Sequence, residues 1–291
     1  MLIVLLYRLA ASLVPHIPPS LGYWLCDLVG DLMFTFALGT RAAVMSNQRH
    51  VLGVEALQIE VEASSRRVFR HLARNYFDQF RLWRLTHDDL ERLVTADGFS
   101  YVEEALAKGK GLILVTAHFG APEVVGQLLT VRGYPTTIVV EHIQPEELFE
   151  LMSRLRGSQG IKIIPIDKPL VGLFRALRRN TLVGLMADRD ITHSGIRLPF
   201  MGDETNVADG AVQLALRTGA PLMVAYCRRL PNNRYYALGK PAFHIVDTGD
   251  FERDVREGTR RLLDELESFI RSWPDQWVMT VPLWRHWETP E

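Results

Sequence analysis

Cysteine is nearly absent: Cys26 and Cys227 are the only two in 291 residues. They lie far apart in apolar surroundings. The expectation is two buried free thiols in a reducing compartment, which excludes a disulfide framework and any cysteine-based zinc spacing. Net charge is also nearly absent, at −1. So balanced a chain has no general attraction for nucleic acid, and any anion it binds must meet a local cluster. Gly-x-Gly-x-x-Gly, a Walker-type loop and His-Glu-x-x-His are all missing, which removes the usual nucleotide and zinc-protease readings. Gly-x-Ser-x-Gly is missing too, so a serine hydrolase has no nucleophile elbow.

A long unbroken apolar run is the last absence, and the least simple. Residues 1–40 carry only Arg8, Asp27 and Asp31 as charges, yet the charge-free run Leu9 to Cys26 is interrupted by Pro15, Pro18 and Pro19. A spanning helix needs about 20 apolar residues without such breaks. The opening segment also lacks the basic region and cleavage site of a signal peptide. Two short hydrophobic helices are expected instead. In the second, Leu21, Trp24, Leu25, Leu28 and Leu32 share a face. That face either enters one membrane leaflet or packs on the rest of the protein. Residues 1–60 are accordingly expected to form membrane-proximal helices, and residues 61–291 one continuous α/β domain.

What is present is an alternation of β-prone and helical segments. An arginine-rich amphipathic helix is expected from Glu62 to Leu85, its arginines facing headgroups or solvent. A short helix follows over Phe99–Lys108. Strands are expected at Gly111–Ala117, Thr136–Val140, Ile161–Ile166, Leu182–Ala187, Leu222–Cys227, Ala242–Val246 and Trp277–Val281. Helices are expected at Pro122–Arg132, Pro145–Ser158, Pro169–Arg179, Ala208–Thr218 and Phe251–Ser272. Such alternation implies an α/β fold with a mainly parallel central sheet flanked by helices. Its reactive crevice should lie beyond the carboxyl ends of the strands.

The spacing His-x4-Glu occurs four times, at His50/Glu55, His118/Glu123, His142/Glu147 and His286/Glu291, where chance gives about one. Spacing alone therefore selects nothing. Only His118 ends an apolar strand, is followed by a Phe119-Gly120 turn, and precedes a helix opened by Pro122, with Glu123 in its first turn. Across such a corner the two side chains can converge. A neutral histidine can take a hydroxyl proton near pH 7, and a carboxylate beside it fixes the tautomer. His118 and Glu123 are thus the candidate catalytic pair. Amides at the start of the Pro122 helix are candidate donors to an oxyanion or phosphate.

Here the chain resembles the bacterial lipid A and lysophospholipid acyltransferases of the His-x4-Asp/Glu superfamily, from about Asn47 to Trp284. The family's His-Phe-Gly-Asn-Trp-Glu stands as His118-Phe119-Gly120-Ala121-Pro122-Glu123, with Ala-Pro replacing Asn-Trp. Asp97-Gly98 and Gly109-Lys110-Gly111 fit the run leading into the strand. Arg156 to Gly160, Ala187-Asp188-Arg189-Asp190, Leu198 to Gly202, Gly210 to Pro221 and Pro274-Asp275-Gln276-Trp277 resemble later family segments. Ala-Asp-Arg-Asp is most similar to the phosphatidylinositol mannoside acyltransferases.

The resemblance implies a membrane-associated O-acyltransferase at the cytoplasmic face of the inner membrane, peripheral or monotopic. Its donor would be a fatty acyl thioester and its acceptor a membrane glycolipid; it would need no cofactor and no metal. Acyl-CoA is the expected donor, with acyl carrier protein and a lipid A or lysophospholipid acceptor as the alternative. A non-catalytic lipid-binding protein is the rival of another class. Arg156, Asp188, Arg189 and Asp190 are the expected substrate-binding residues. Arg178-Arg179 and Arg228-Arg229 are further candidates for coenzyme A phosphates. Trp273 and Trp277 are expected in the core, and Trp284 and Trp287 at a membrane interface.

Overall fold

The structure is a computed structural model that describes residues 2–284; Trp287, His286 and Glu291 fall outside them. The chain opens with three helices, α1 (Leu2–Leu13), α2 (Pro19–Phe36) and α3 (Leu38–Leu52), followed by the long α4 (Gln58–Arg81). Short α5 (His87–Leu93) and α6 (Phe99–Leu106) flank strand β1 (Val94–Asp97). Then come β2 (Leu112–Thr116), α7 (Pro122–Val131), β3 (Thr136–Val140), α8 (Glu146–Arg156), β4 (Lys162–Pro165), α9 (Val171–Arg178) and β5 (Leu182–Met186). A hairpin, β6 (Ile196–Phe200) and β7 (Asp203–Val207), precedes α10 (Gly210–Thr218), β8 (Leu222–Arg229), β9 (Tyr235–Gly239) and α11 (Phe251–Ser272).

Seven strands form one sheet in the order β1-β9-β8-β2-β5-β3-β4. The run from β8 to β4 is parallel; β9 is antiparallel to β8, and β1 is parallel to β9. Both faces are covered, as a parallel sheet requires. Ile113, Val115 and Val183 point to the face under α9, α10 and α11, where the largest core cluster lies. Leu112, Leu182 and Met223 point to the opposite face, toward α6 and α7.

The expected α/β architecture is therefore present, with several differences among its strands, of which edge strand β1, where none is expected, is one. Ala242–Val246 is not a strand; only Phe243 makes a bridge, to Leu222. Trp277–Val281 likewise makes a single bridge, Trp277 to Phe119. The segment Tyr235–Gly239 takes the antiparallel place beside β8 instead, burying Tyr235 and Ala237. The β6–β7 hairpin is a separate two-stranded sheet, and its Pro199 and charged residues hide it from a search for apolar strands.

At the N-terminus, α1 buries none of its residues. Leu2 is 71% exposed and Leu5, Leu6, Leu9 and Leu13 are exposed beside it. In α2 the stripe Leu21, Trp24, Leu28 and Leu32 faces outward, while Tyr23, Cys26, Gly30 and Phe34 pack inward. Among the described residues no single helix is long and apolar enough to cross a membrane. The arginines of α4 meet neither solvent alone nor a free face. Arg70 forks onto Asp31 at 2.8 Å and Arg74 onto Asp27 at 2.7–2.8 Å, so they clamp α2 to α4. Bidentate pairs of this kind fix geometry as well as charge. In α3, Asn47 donates to the carbonyls of Met279 and Val281, which ties it to the C-terminal segment.

Candidate active site

The site is built where β2 and β5 end side by side. Ala187 N–H donates to the Thr116 carbonyl at 3.0 Å, so the residues after each strand emerge together. His118 follows β2 and Asp188 follows β5. His118 Nδ1 lies 2.9 Å from Asp188 Oδ1, and the His118 backbone N–H donates to Asp188 Oδ2 at 2.9 Å. Trp277 Nε1 donates to the same Oδ2 at 2.8 Å. The Asp188 side chain is wholly buried, whereas a third of the His118 side chain, 32%, opens on the crevice. An ionised carboxylate only accepts, so Nδ1 carries the proton and Nε2 is left as the basic nitrogen facing outward.

Electrostatics support that arrangement. Burial pulls the imidazole pKa down, but the Asp188 charge and hydrogen bond, with Glu123 behind them, leave it above the ordinary histidine value. Burial pushes the Asp188 carboxyl up, and His118 and Trp277 more than reverse it, holding it below the usual carboxylate range.

The turn that carries His118 is braced on every side. Gly120 has φ +65°, and a Cβ there would lie 1.9 Å from the Cys227 carbonyl oxygen, so only glycine fits. Gly120 N–H donates to the Gln276 carbonyl at 2.9 Å, and Val278 N–H to the His118 carbonyl at 2.8 Å. Gln276 in turn exchanges two side-chain bonds with the Arg229 backbone. The Pro274-Asp275-Gln276-Trp277 segment thus props the turn and supplies a donor to Asp188. Beneath it, Asn75 donates to the Gly120 carbonyl and accepts from Arg229. Arg229 is buried against Asp78 at 2.6 Å, and Asp78 also accepts from Tyr23 and Tyr235. One polar network therefore runs from α2 to the active-site turn, an arrangement no sequence spacing announces.

Several expectations need correction. Glu123 is not the carboxylate on the imidazole; its Oε1 pairs with Arg156 Nη2 at 3.3 Å. Asp188 stands against the imidazole instead, its side chain wholly buried. Arg189 pairs with Glu141 at 3.0 Å. Asp190 is occupied in its own loop, accepting from Gly195 N–H and Thr192. Arg229 is buried in the core and so is no open phosphate site, and Arg228 lies over Trp273. Trp284 is buried against Phe200 and stacks on His50, away from any interface. The amides of His118, Phe119, Gly120 and Val124 are taken by internal acceptors, which leaves the Glu123 amide as the donor that the start of the Pro122 helix still offers. Arg156 does stand at the crevice, held in place where Gln127 donates to its carbonyl at 2.9 Å.

From His118 a cavity of about 370 Å³ runs beneath α7 across the sheet. Every second residue of the strands faces it: Leu114 and Thr116, Gly184 and Met186, Ile138 and Val140, Met223 and Ala225. His118, Glu123, Glu141 and Arg156 stand together at one end, and Asp97, Gln127 and Thr136 are polar lining residues elsewhere. Tyr7 of α1 and Tyr76 of α4 edge the cavity. The arrangement can bind a long apolar chain and present its polar end to a base.

A histidine held by a buried carboxylate therefore stands at a deep apolar cavity. Sequence relatives make this specific: the chain belongs to the bacterial lipid A biosynthesis acyltransferase family, whose pattern it matches over residues 1–286, and it is an acyltransferase. It is 30% identical over 218 residues to a phosphatidylinositol mannoside acyltransferase of Mycobacterium tuberculosis, covering 72% of this chain and 67% of that one. The protein of that name from Mycolicibacterium smegmatis is 30% identical over 216 residues, covering 73% and 69%. A lipid A biosynthesis acyltransferase of Haemophilus influenzae is 23% identical over 190 residues, covering 65% and 58%. The crystal structure of the 1-acyl-sn-glycerophosphate acyltransferase PlsC from Thermotoga maritima aligns over 86% of this chain and 98% of its own, with 13% identity and a TM-score of 0.37.

Proposed function

We propose that this enzyme moves a fatty acyl group from acyl-CoA to a hydroxyl of a membrane glycolipid such as a phosphatidylinositol mannoside, with His118 as general base. The observation that carries the reading is the orientation of His118: Nδ1 is fixed on buried Asp188 while the opposite edge opens on the apolar cavity. Nε2 takes the acceptor hydroxyl proton as the oxygen attacks the thioester carbonyl. The carbon–sulfur bond breaks, and the imidazolium returns the proton to the departing thiolate, leaving an ester and a thiol. No covalent enzyme intermediate is involved. Asp188 positions the base and stabilises the imidazolium. Glu123 works through Arg156, keeping a cation at the mouth for a phosphate of donor or acceptor.

The exposed apolar sides of α1 and α2 support attachment at the cytoplasmic face of the inner membrane. Residues 1–60 would then form the membrane-proximal part of the molecule. The acceptor assignment rests on the mannoside acyltransferase relatives, and the acyl-CoA donor on the resemblance of Ala187-Asp188-Arg189-Asp190 to that group. The test is a transfer assay crossing acyl-CoA and acyl carrier protein donors with glycolipid and lysophospholipid acceptors, run on the wild type and His118→Ala. Turnover with acyl-CoA and a glycolipid, lost in a folded His118→Ala protein, is the expected result. Full activity in that variant would overturn the base assignment.

A further inference from the structure

Four glycines line the cavity: Gly98, whose φ is +93°, Gly239, where a Cβ would lie 2.1 Å from Met223 Cε, and two without such a reason, Gly126 and Gly184. Gly126 lies within α7, and Gly184 at the centre of β5, an interior strand of the sheet. Glycine inside a helix or strand costs stability relative to alanine. A left-handed backbone is the usual reason to keep it, and neither residue is among those with positive φ. Crowding is the other usual reason, and it fails at Gly126, where a Cβ would meet only the Ile161 Cδ1 methyl, at an ordinary 3.6 Å. At Gly184 it is slight: the nearest neighbour would be the Ile138 Cγ2 methyl at 3.1 Å, a tight contact that asks that side chain to give by a few tenths of an ångström. What the absent side chains leave open is the cavity itself.

We propose that Gly126 and Gly184 set the length of acyl chain that this enzyme accepts, by keeping open the passage from His118 to the deep part of the cavity. The inference rests on the acyl-transfer reading of the site. Gly184 precedes Asp188 by four residues, which is about 13 Å of strand. An extended alkyl chain advances about 1.25 Å per bond, from bonds of about 1.5 Å meeting near 111°. With its carbonyl at His118, a chain reaches the level of Gly184 at about the tenth carbon. Beyond that level the cavity continues to Leu182, Thr136 and Leu129. A side chain at either glycine should therefore spare short chains and exclude longer ones. Each methylene kept out of the cavity forfeits about 0.8 kcal/mol, about a fourfold loss in binding.

The experiment measures kcat/KM of the full chain for saturated acyl-CoA donors from about eight to about eighteen carbons, spanning the level of Gly184. Wild type is compared with Gly184→Val and Gly126→Leu, and Gly126→Ala serves as the mild variant, since alanine also favours the helix. Expected is a loss of tenfold or more on chains well past about ten carbons and a much smaller loss below, so that the optimum moves shorter. Melting curves show which variants fold, and if Gly184→Val does not, the two Gly126 variants carry the test. An unchanged length profile in folded variants, or an equal loss at every length, overturns the proposal. Should the wild type turn over no donor, the acyl-transfer reading fails instead. Displacement of a fluorescent fatty acid by the same chain series then decides the role of the glycines: a shift toward shorter competitors supports it, and no shift refutes it.

Discussion

Asp188→Asn replaces one carboxylate oxygen by an NH₂ group and should invert the tautomer of His118. The carboxylate accepts three hydrogen bonds: two on Oδ2, from the His118 N–H and Trp277 Nε1, and one on Oδ1, from His118 Nδ1. Asparagine keeps one acceptor oxygen and gains an NH₂ donor. If its oxygen faced Nδ1, the NH₂ would meet two buried N–H groups, and each unsatisfied donor costs about 1–3 kcal/mol. The oxygen must therefore stay with the backbone and Trp277. The NH₂ then faces Nδ1, which has to become the acceptor. The ring proton moves to Nε2, the nitrogen that should take the acceptor hydroxyl proton. Transfer should fall by about 10²–10⁴-fold, the usual worth of a positioned acid–base group, in a protein that still folds. The assay is kcat/KM by thioester consumption, with the ¹⁵N shifts of the imidazole reporting the tautomer. A folded Asn variant with wild-type kcat/KM, or with the proton still on Nδ1, would refute the reasoning.

Activity should also fall as pH drops through the His118 pKa, because only the neutral ring is a base. Since Asp188 and Glu123 raise that pKa, the acid limb of kcat/KM should lie above the ordinary histidine value of about 6.5, and it should move to lower pH in Asp188→Asn. Asp78→Asn should destabilise the fold by about 3–5 kcal/mol through the buried Arg229 left without its charge partner. Urea unfolding measures this, and a double replacement of Asp78 and Arg229 by apolar residues should recover part of the loss; a neutral Asp78→Asn would contradict the network. Leu5→Glu with Trp24→Glu should lower co-sedimentation with anionic phospholipid vesicles by at least about tenfold, given about 1.5–3 kcal/mol for each large apolar side chain buried. Unchanged sedimentation would count against α1 and α2 as the membrane-facing surface.

Much of the fold was legible because burial on both faces leaves an interior parallel strand little choice but an apolar run. β2, β3 and β5 declare themselves that way, and Pro122 and the Ala208–Thr218 pattern mark helices by chemistry that acts locally. Other segments lack such constraints. β9, between β1 and β8, buries only alternate residues and so mixes aromatic and small ones, and β6 carries a proline and an arginine that a two-stranded hairpin tolerates. The face of α2 was readable as a stripe, but a stripe has no sign. What turns Leu21, Trp24, Leu28 and Leu32 outward is the pairing of Asp27 and Asp31 with Arg74 and Arg70 on a helix about forty residues away.

The same limit decided which part of the site could be found. His118 is marked by its strand end, a local property, and it is placed as expected. Its partner is not local. Glu123 is near in sequence because a helix begins there, and that helix turns its side chain toward Arg156. Asp188 is near in space because β5 lies beside β2 in register, Thr116 against Met186, so the residues two positions beyond each strand meet. Strand neighbours in a parallel sheet are separated by whole crossovers, here seventy residues between His118 and Asp188. The carboxylate against the imidazole is therefore chosen by strand order, which no spacing within a motif encodes. The His-x4-Glu pattern serves two contacts at once, His118 with Asp188 just beyond the strand and Glu123 with Arg156 on the helix.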